Sequence, residues 1–182
     1  MAGSVAAGNA DMKILYIVRH AKSSWADPSL ADLNRPLNKR GRRDAPAMGQ
    51  RLADNKVKVD AIWCSPALRA VETAKLFAQA LDIPRKLIAQ HERIYTSSID
   101  DLLSEIRSCP DRHKALLIVG HNPVLTEFAN FLIDAALAPE IVSFPTSGIA
   151  ALEFKCSLWQ QIQGNAGRLL FFDYPKNDAT PE

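Results

Sequence analysis

Along the chain, short unbroken apolar runs take turns with stretches in which apolar residues recur every three or four positions. Ile14 to Val18 is an unbroken run with β-branched and aromatic members and predicts a strand. The polar, proline-containing stretch from Lys22 to Gly41 predicts a long loop excluded from the core. From Arg42 to Asn55, Ala45, Met48 and Leu52 fall at helical spacing, and a helix there tolerates Pro46 if it lies in the first turn. Val59 to Cys64 predicts a second strand. Ser65 and Pro66 then read as an N-cap and a proline at the first helical position. The helix they open runs to about Leu81, with Leu68, Val71, Ala74 and Ala78 on its apolar face.

The alternation continues to the end. Lys86 to Ala89 predicts a third strand, and Ser98 to Arg107 a helix opened by Ser98-x-x-Asp101, a variant of the capping box, with Ile99, Leu102, Leu103 and Ile106 on one stripe. Ala115 to Val119 predicts a fourth strand. Gly120 turns the chain, and Pro123 opens a helix whose Val124, Leu125, Phe128 and Leu132 face inward. Ile149 to Phe154 and Arg168 to Phe172 predict two closing strands. Strands alternating with helices imply an α/β fold, a mostly parallel central sheet covered on both faces in three αβα layers.

Composition narrows the class. The chain has 182 residues, 47% hydrophobic and 23% charged, enough apolar material for one domain with its own core. Its net charge of +2 is too small for a dedicated nucleic-acid binder. No apolar run approaches the roughly 20 residues of a membrane span, so no membrane partner is expected. Cys64, Cys109 and Cys156 form no C-x-x-C pair, which argues against a disulfide framework or zinc knuckle and for a reducing, cytoplasmic setting. Residues 1–11 carry no Lys or Arg and no apolar block, and read as a disordered N-terminal extension. A single domain is expected over 12–174, with 175–182 a flexible C-terminal tail.

In parallel sheets ligands sit at the carboxyl ends of the strands. The polar residues just past the predicted strands are therefore expected to share one crevice: Arg19 and His20 after the first, Ser65 to Arg69 after the second, Glu92 after the third, Gly120 and His121 after the fourth. Guanidinium groups match phosphate oxygens and stay charged at any working pH, so Arg19 and Arg69 suit a phosphoryl dianion. A neutral imidazole can attack phosphorus, so His20, expected to be an exposed residue at a strand end, could take the phosphoryl group and pass it to water. His121 would hold an oxygen of the transferring group, and Glu92 could protonate the leaving atom. Each has a plainer reading: a strand-end histidine as a structural group, Arg69 as a surface residue, Glu92 as a solvated loop acid. His91 and His113 lie in polar loops and receive no role.

The stretch VRHAKSSW (Val18 to Trp25) resembles the R-H-G-x-S-x-W signature of the histidine phosphatase superfamily, and CSPALRAVETA (Cys64 to Ala74) is similar to its S-S-P-x-x-R-A-x-E-T-A segment. VGHNP (Val119 to Pro123), RPLNKRG (Arg35 to Gly41) and ERIY (Glu92 to Tyr95) match further motifs in family order. The resemblance implies a phosphoglycerate-mutase-like fold, His20 as the phosphorylated nucleophile, and a phosphate pocket of Arg19, Arg69 and His121 to which Ser23 adds a hydroxyl. Glu92 aligns with the proton donor of the mutase-like branch. Ala21, where many members have Gly, matches the R-H-A-K-S form of the small SixA-type phosphohistidine phosphatases, and Ala26 stands where mutases usually have Asn. Only 28 residues separate Glu92 from His121, where mutases carry a long lid insertion, so a shallow, open pocket is expected. No cofactor and no metal are expected. The implied partners are a phosphorylated protein or a small phosphorylated substrate, and phosphate-like anions.

Rival readings are a cysteine-dependent phosphatase, a small-molecule phosphomonoesterase of the same family, and a non-catalytic phospho-binding module. Cys64 and Arg69 stand at C-x4-R rather than C-x5-R, with no glycine to wrap a phosphate. No P-loop, G-x-S-x-G elbow or H-x-x-x-H pair occurs. A pure binder has no need of His20.

Overall fold

The computed structural model describes residues 12–95 and 98–177. The N-terminal extension predicted over 1–11, and the tail beyond 177, lie outside the described residues. Six strands form one sheet: β1 (Lys13–Arg19), β2 (Ala61–Cys64), β3 (Ile88–Gln90), β4 (Ala115–Gly120), β5 (Ile149–Phe154) and β6 (Arg168–Asp173). Their spatial order is β3-β2-β4-β1-β5-β6. The pairs among β1 to β4 are parallel, whereas β5 pairs antiparallel with both β1 and β6.

Four helices cover the sheet: α1 (Lys39–Asp54), α2 (Leu68–Ala80), α3 (Ile99–Arg107) and α4 (Val124–Leu132). Side chains alternate across each strand, so each face has its own core. Tyr16 and Val18 of β1 join Leu117 and Val119 of β4 with Met48, Leu52, Ala74 and Phe77 of α1 and α2. Leu15, Ile17, Leu116 and Ile118 join Leu102, Ile106, Leu125 and Phe128 of α3 and α4 on the other face. This is the expected three-layer αβα arrangement. Among the described residues no helix is long and apolar enough to cross a membrane.

Local chemistry departs from the expected starts at three places. Helix α1 opens three residues early because Asn38 caps it, its side chain accepting from Gly41 N–H at 2.9 Å. Pro46 therefore sits in the helix interior and removes the donor that would reach the exposed Arg42 carbonyl. Helix α2 starts at Leu68, with Ala67 at the N-cap, so Ser65 and Pro66 precede it. The third strand is displaced to Ile88–Gln90 because Arg85–Leu87 coil into a 3-10 turn.

The loop from Lys22 to Gly41 also differs from its expected exclusion. Ser23, Arg35 and Leu37 are buried, and Ser23 forms an antiparallel bridge with Leu37. Leu37 N–H donates to Glu72 of α2 at 2.6 Å. At Gly41 a Cβ would meet the Lys22 carbonyl oxygen at 2.3 Å, so only glycine permits this closure. The loop is thereby strapped across the carboxyl ends of the parallel strands.

Candidate active site

β1 and β4 pair with Arg19 opposite Gly120, so the next residues, His20 and His121, leave the sheet side by side. His20 N–H continues the ladder to the Gly120 carbonyl at 3.0 Å, and the two imidazole rings have centroids 5.0 Å apart. β2 ends beside β4, where Ser65 N–H donates to the Val119 carbonyl at 3.0 Å. That pairing brings Ser65 Oγ to 2.7 Å from His121 Nε2. Arg69, in the first turn of α2, places Nη2 at 3.4 Å from His121 Nδ1. Thr73 ties this helix to the histidine loop, its hydroxyl accepting from Ala21 N–H at 3.0 Å and donating to the Arg69 carbonyl at 2.6 Å.

His20 is only 9% exposed, against the exposed position expected from sequence. The segment before β5 closes over the strand end, with Ser147 N–H reaching the Arg19 carbonyl at 3.1 Å. Ser147 is itself buried and held at φ 63°, in the left-handed region. His20 Nδ1 lies 2.7 Å from the Ala21 carbonyl. A carbonyl only accepts, so Nδ1 carries the proton and Nε2 the lone pair. Burial, aided by the nearby guanidinium groups of Arg69, Arg19 and Arg35, pushes the His20 pKa down to about 4. Burial, then the neighbouring His20 and Arg69, pushes His121 down to about 3. Both rings are neutral at pH 7.

The guanidiniums are held from the protein side. Arg19 donates from Nη1 to the Phe144 carbonyl at 2.6 Å, and its buried Nε has no partner among the described residues. Arg69 donates from Nη1 to the Asp32 carbonyl at 2.7 Å and from Nη2 to Asp32 Oδ2 at 2.8 Å. Arg35, which received no role from sequence, is a third buried guanidinium, donating to Ser23 Oγ at 2.6 Å and to Asp32 Oδ1 at 2.8 Å. Its outer face lies 3.3 Å from the centre of the exposed Trp25 ring. Tyr95 hydroxyl donates to Asp32 Oδ2 at 3.1 Å, and its ring packs edge-on to His121 with centroids 5.6 Å apart.

Of the predicted residues, Arg19, His20, Ser23, Arg69 and His121 therefore meet in one cluster. Glu92 is not tied to it: it opens a 3-10 turn after β3, is exposed, and its carboxylate makes no hydrogen bond or ion pair among the described residues. Sequence reading placed Ser65 at the crevice without giving it a role, and missed Asp32, Arg35 and Tyr95. Arg35 and Tyr95 stand inside quoted motifs, so a signal existed for them; Asp32 lies in a polar loop with nothing to single it out. His91 is structural, stacked on Trp63 at 4.2 Å and bonded to Glu105 at 2.6 Å. Cys64 is buried and its thiol pushed up to about 12, which removes the cysteine nucleophile.

Two clefts flank the start of α4. One, of about 740 Å³, reaches Tyr95 and His121. The other, of about 820 Å³, reaches Arg19, and both share Asn122, Pro123 and Glu127. Among the described residues no group of three His, Cys, Asp or Glu side chains is arranged to hold a metal ion.

Comparison with known proteins identifies the family and the fold. The family model of the histidine phosphatase superfamily (branch 1) matches residues 15–95. An uncharacterised protein of Mycobacterium tuberculosis is 37% identical over 165 residues, which cover 87% of this chain and 100% of that protein. A crystal structure from Agrobacterium tumefaciens, provisionally described as the phosphohistidine phosphatase SixA, has a TM-score of 0.73 at 30% identity, covering 90% of this chain and 98% of the other. The protein histidine phosphatase SixA complexed with tungstate shares the fold at a TM-score of 0.75 and 20% identity, covering 89% of this chain and 97% of that one. The matched span of the family model stops at Tyr95; His121 lies beyond it and is held in the cluster by the β1–β4 pairing and its contacts with Ser65 and Arg69.

Proposed function

The chain belongs to the histidine phosphatase superfamily and is a phosphatase, and from that premise we propose that it works without a metal through a phosphohistidine on His20, releasing phosphate from phosphohistidine carried on a protein. The observation that carries this reading is the tautomer of His20. With Nδ1–H committed to the Ala21 carbonyl, the only lone pair on the ring is at Nε2, and the depressed pKa keeps it available down to mildly acidic pH.

In the first step the Nε2 lone pair forms a bond to phosphorus while the bond from phosphorus to the leaving group breaks, its electron pair departing with the leaving group. In the second, a water oxygen bonds to phosphorus and the His20 Nε2–phosphorus bond breaks, returning the pair to Nε2 and giving inorganic phosphate. Arg19 and Arg69 neutralise the equatorial oxygens, the charge role a metal would otherwise fill. The unpartnered Nε of Arg19 supports this, since a buried donor without an acceptor is costly and an anion supplies one. Ser65 sets the second histidine. A guanidinium only donates, so His121 Nδ1 accepts from Arg69 Nη2 at 3.4 Å, and His121 Nε2–H donates to Ser65 Oγ at 2.7 Å, which also accepts from Ala67 N–H at 3.2 Å. Ser23 adds a hydroxyl, and Glu92 remains the candidate proton donor for poor leaving groups.

The choice of a protein-borne substrate rests on openness. Only α3 and β4 lie between Glu92 and His121 among the described residues, and the two clefts admit a polypeptide from either side of α4. The test is a panel of phosphohistidine protein, phosphoserine peptide and sugar phosphates. Phosphohistidine should have the highest kcat/KM, the activity should survive EDTA, and vanadate or tungstate should block it. A sugar phosphate turned over best would replace this substrate with a small molecule, and activity lost to a chelator and restored by a divalent ion would overturn the metal-free route.

A further inference from the structure

Asp32 stands at the outer edge of this cluster in an arrangement that neither the phosphate pocket nor the fold explains. Its side chain is 48% exposed, whereas the Arg35 and Arg69 side chains that grip it are each 8% exposed. Two guanidiniums and a phenol hold it in one orientation: Oδ1 accepts from Arg35, and Oδ2 from Arg69 and Tyr95. An ionised carboxylate offers about four acceptor positions. Among the described residues three are filled, and the one left over is on Oδ1. Burial tends to raise its pKa, but the hydrogen bonds from Arg69, Tyr95 and Arg35 and the Arg69 charge hold it below the ordinary carboxylate range. Asp32 is therefore an acceptor at neutral pH and has no proton to give.

Its place relative to the phosphoryl site follows from Arg69. The nitrogen that bonds Asp32 Oδ2 at 2.8 Å is the one that faces His121 Nδ1 at 3.4 Å. A phosphoryl group seated against Arg69 and His121 thus has the Asp32 carboxylate one guanidinium nitrogen away. The leaving group must lie opposite His20 Nε2, on the outer side, because attack is in line.

On the premise that the substrate is phosphohistidine, we propose that Asp32 is a specificity-determining residue whose carboxylate accepts the N–H of the leaving imidazole, on the ring nitrogen that does not bear phosphorus. The bond account closes without an acid. The substrate ring arrives with a proton on its far nitrogen; His20 Nε2 forms the new bond to phosphorus, the old phosphorus–nitrogen bond breaks with its pair going to the ring, and a neutral imidazole departs with that proton. Asp32 favours the protonated ring by charge and aims it, and no proton passes to or from the carboxylate. The same fixed negative charge disfavours an anionic leaving group, so phosphohistidine, unlike an alkyl phosphate, needs no proton from Glu92.

The test compares kcat/KM of wild type, Asp32→Asn and Asp32→Glu on a phosphohistidine protein and on nitrophenyl phosphate, whose leaving group has no N–H to offer. Asp32→Asn should lower the ratio of the two constants by about 10- to 100-fold, the span of one charge-assisted hydrogen bond, while nitrophenyl phosphate falls by a few-fold as Arg69 loses part of its grip. Asp32→Glu should recover part of the ratio. Equal losses on both substrates would overturn the proposal and make Asp32 a positioning residue for Arg69. An unfolded Asp32→Asn leaves Asp32→Glu and Tyr95→Phe, which disturb the aim of the carboxylate and should move the ratio in the same direction; an unmoved ratio in both overturns the proposal too. If wild type fails to hydrolyse phosphohistidine but cleaves nitrophenyl phosphate, the substrate reading itself is what fails.

Discussion

The floor of the site and its rim are built on opposite terms. The floor, comprising His20, Ser65 and Arg69, which are buried, and the half-buried His121, is fastened by strand pairing and electrically quiet in its two neutral imidazoles. The rim, comprising Trp25, Asp32 and Glu92, is exposed and carried on a loop and two 3-10 turns. Burial serves the floor because a dry, preorganised set of donors is worth more to a phosphoryl group than the same donors in water. On the proposed function, exposure serves the rim because a substrate attached to another protein must approach without a lid closing over it; the floor then accounts for the transfer of a phosphoryl group, and the rim for the group it is taken from.

The largest expected effect lies at the floor. His20→Asn should lower turnover of every substrate by roughly 10⁴-fold or more, as removal of a nucleophile does, measured as phosphate release under steady-state conditions. Because His20 is buried, its melting temperature should also be recorded; a folded, fully active variant would detach the chemistry from this residue. Arg69→Ala should cost roughly 10²- to 10³-fold on nitrophenyl phosphate, the scale of a lost transition-state donor, and more on phosphohistidine, because it also frees the Asp32 carboxylate. A loss confined to phosphohistidine would move Arg69 from floor to rim.

Glu92→Gln probes the rim. Alkyl phosphates, whose alkoxide needs a proton to leave, should slow by about 10²-fold, the low end of general acid catalysis, with nitrophenyl phosphate and phosphohistidine within about threefold of wild type. Uniform effects, or none, would leave Glu92 a solvated loop acid. The smallest expected effect is on stability. The folded pKa values of His20 and His121, about 4 and about 3, lie below the ordinary 6.5. As pH falls the unfolded chain takes up protons first, so the stability these rings contribute is complete above about pH 6.5 and drains away toward pH 4. The melting temperature should fall by several degrees over that interval, and by less in His20→Asn; an equal fall in both would mean that His20 is not buried neutral.

The floor was legible because its residues follow directly on apolar runs. Arg19 and His20 come after Ile14 to Val18, and His121 after Ala115 to Gly120, so the strand-end rule brings them together before any pairing is known. The start of α1 was less legible, since Asn38 is followed by Lys39 and Arg40, which carry no apolar signal. Ser65 looked like a helix cap, and the same hydroxyl does accept Ala67 N–H; its bond to His121 depends on β2 lying beside β4, which local pattern cannot reveal. Asp32 was illegible for a similar reason. Its three donors come from residues 35, 69 and 95, and only the closed loop makes neighbours of them.

The claim on which the rest depends is that His20 Nε2 carries the phosphoryl group. Rapid acid-free quenching of wild type during turnover of a substrate with radiolabelled phosphate, followed by proteolysis and identification of the modified atom, tests it directly. The account predicts an acid-labile, alkali-stable label on His20 at Nε2, absent from His20→Asn and discharged to inorganic phosphate on further incubation. Label at Nδ1, on His121 or on Cys64, or full turnover with no protein-bound phosphate at any time point, would contradict it.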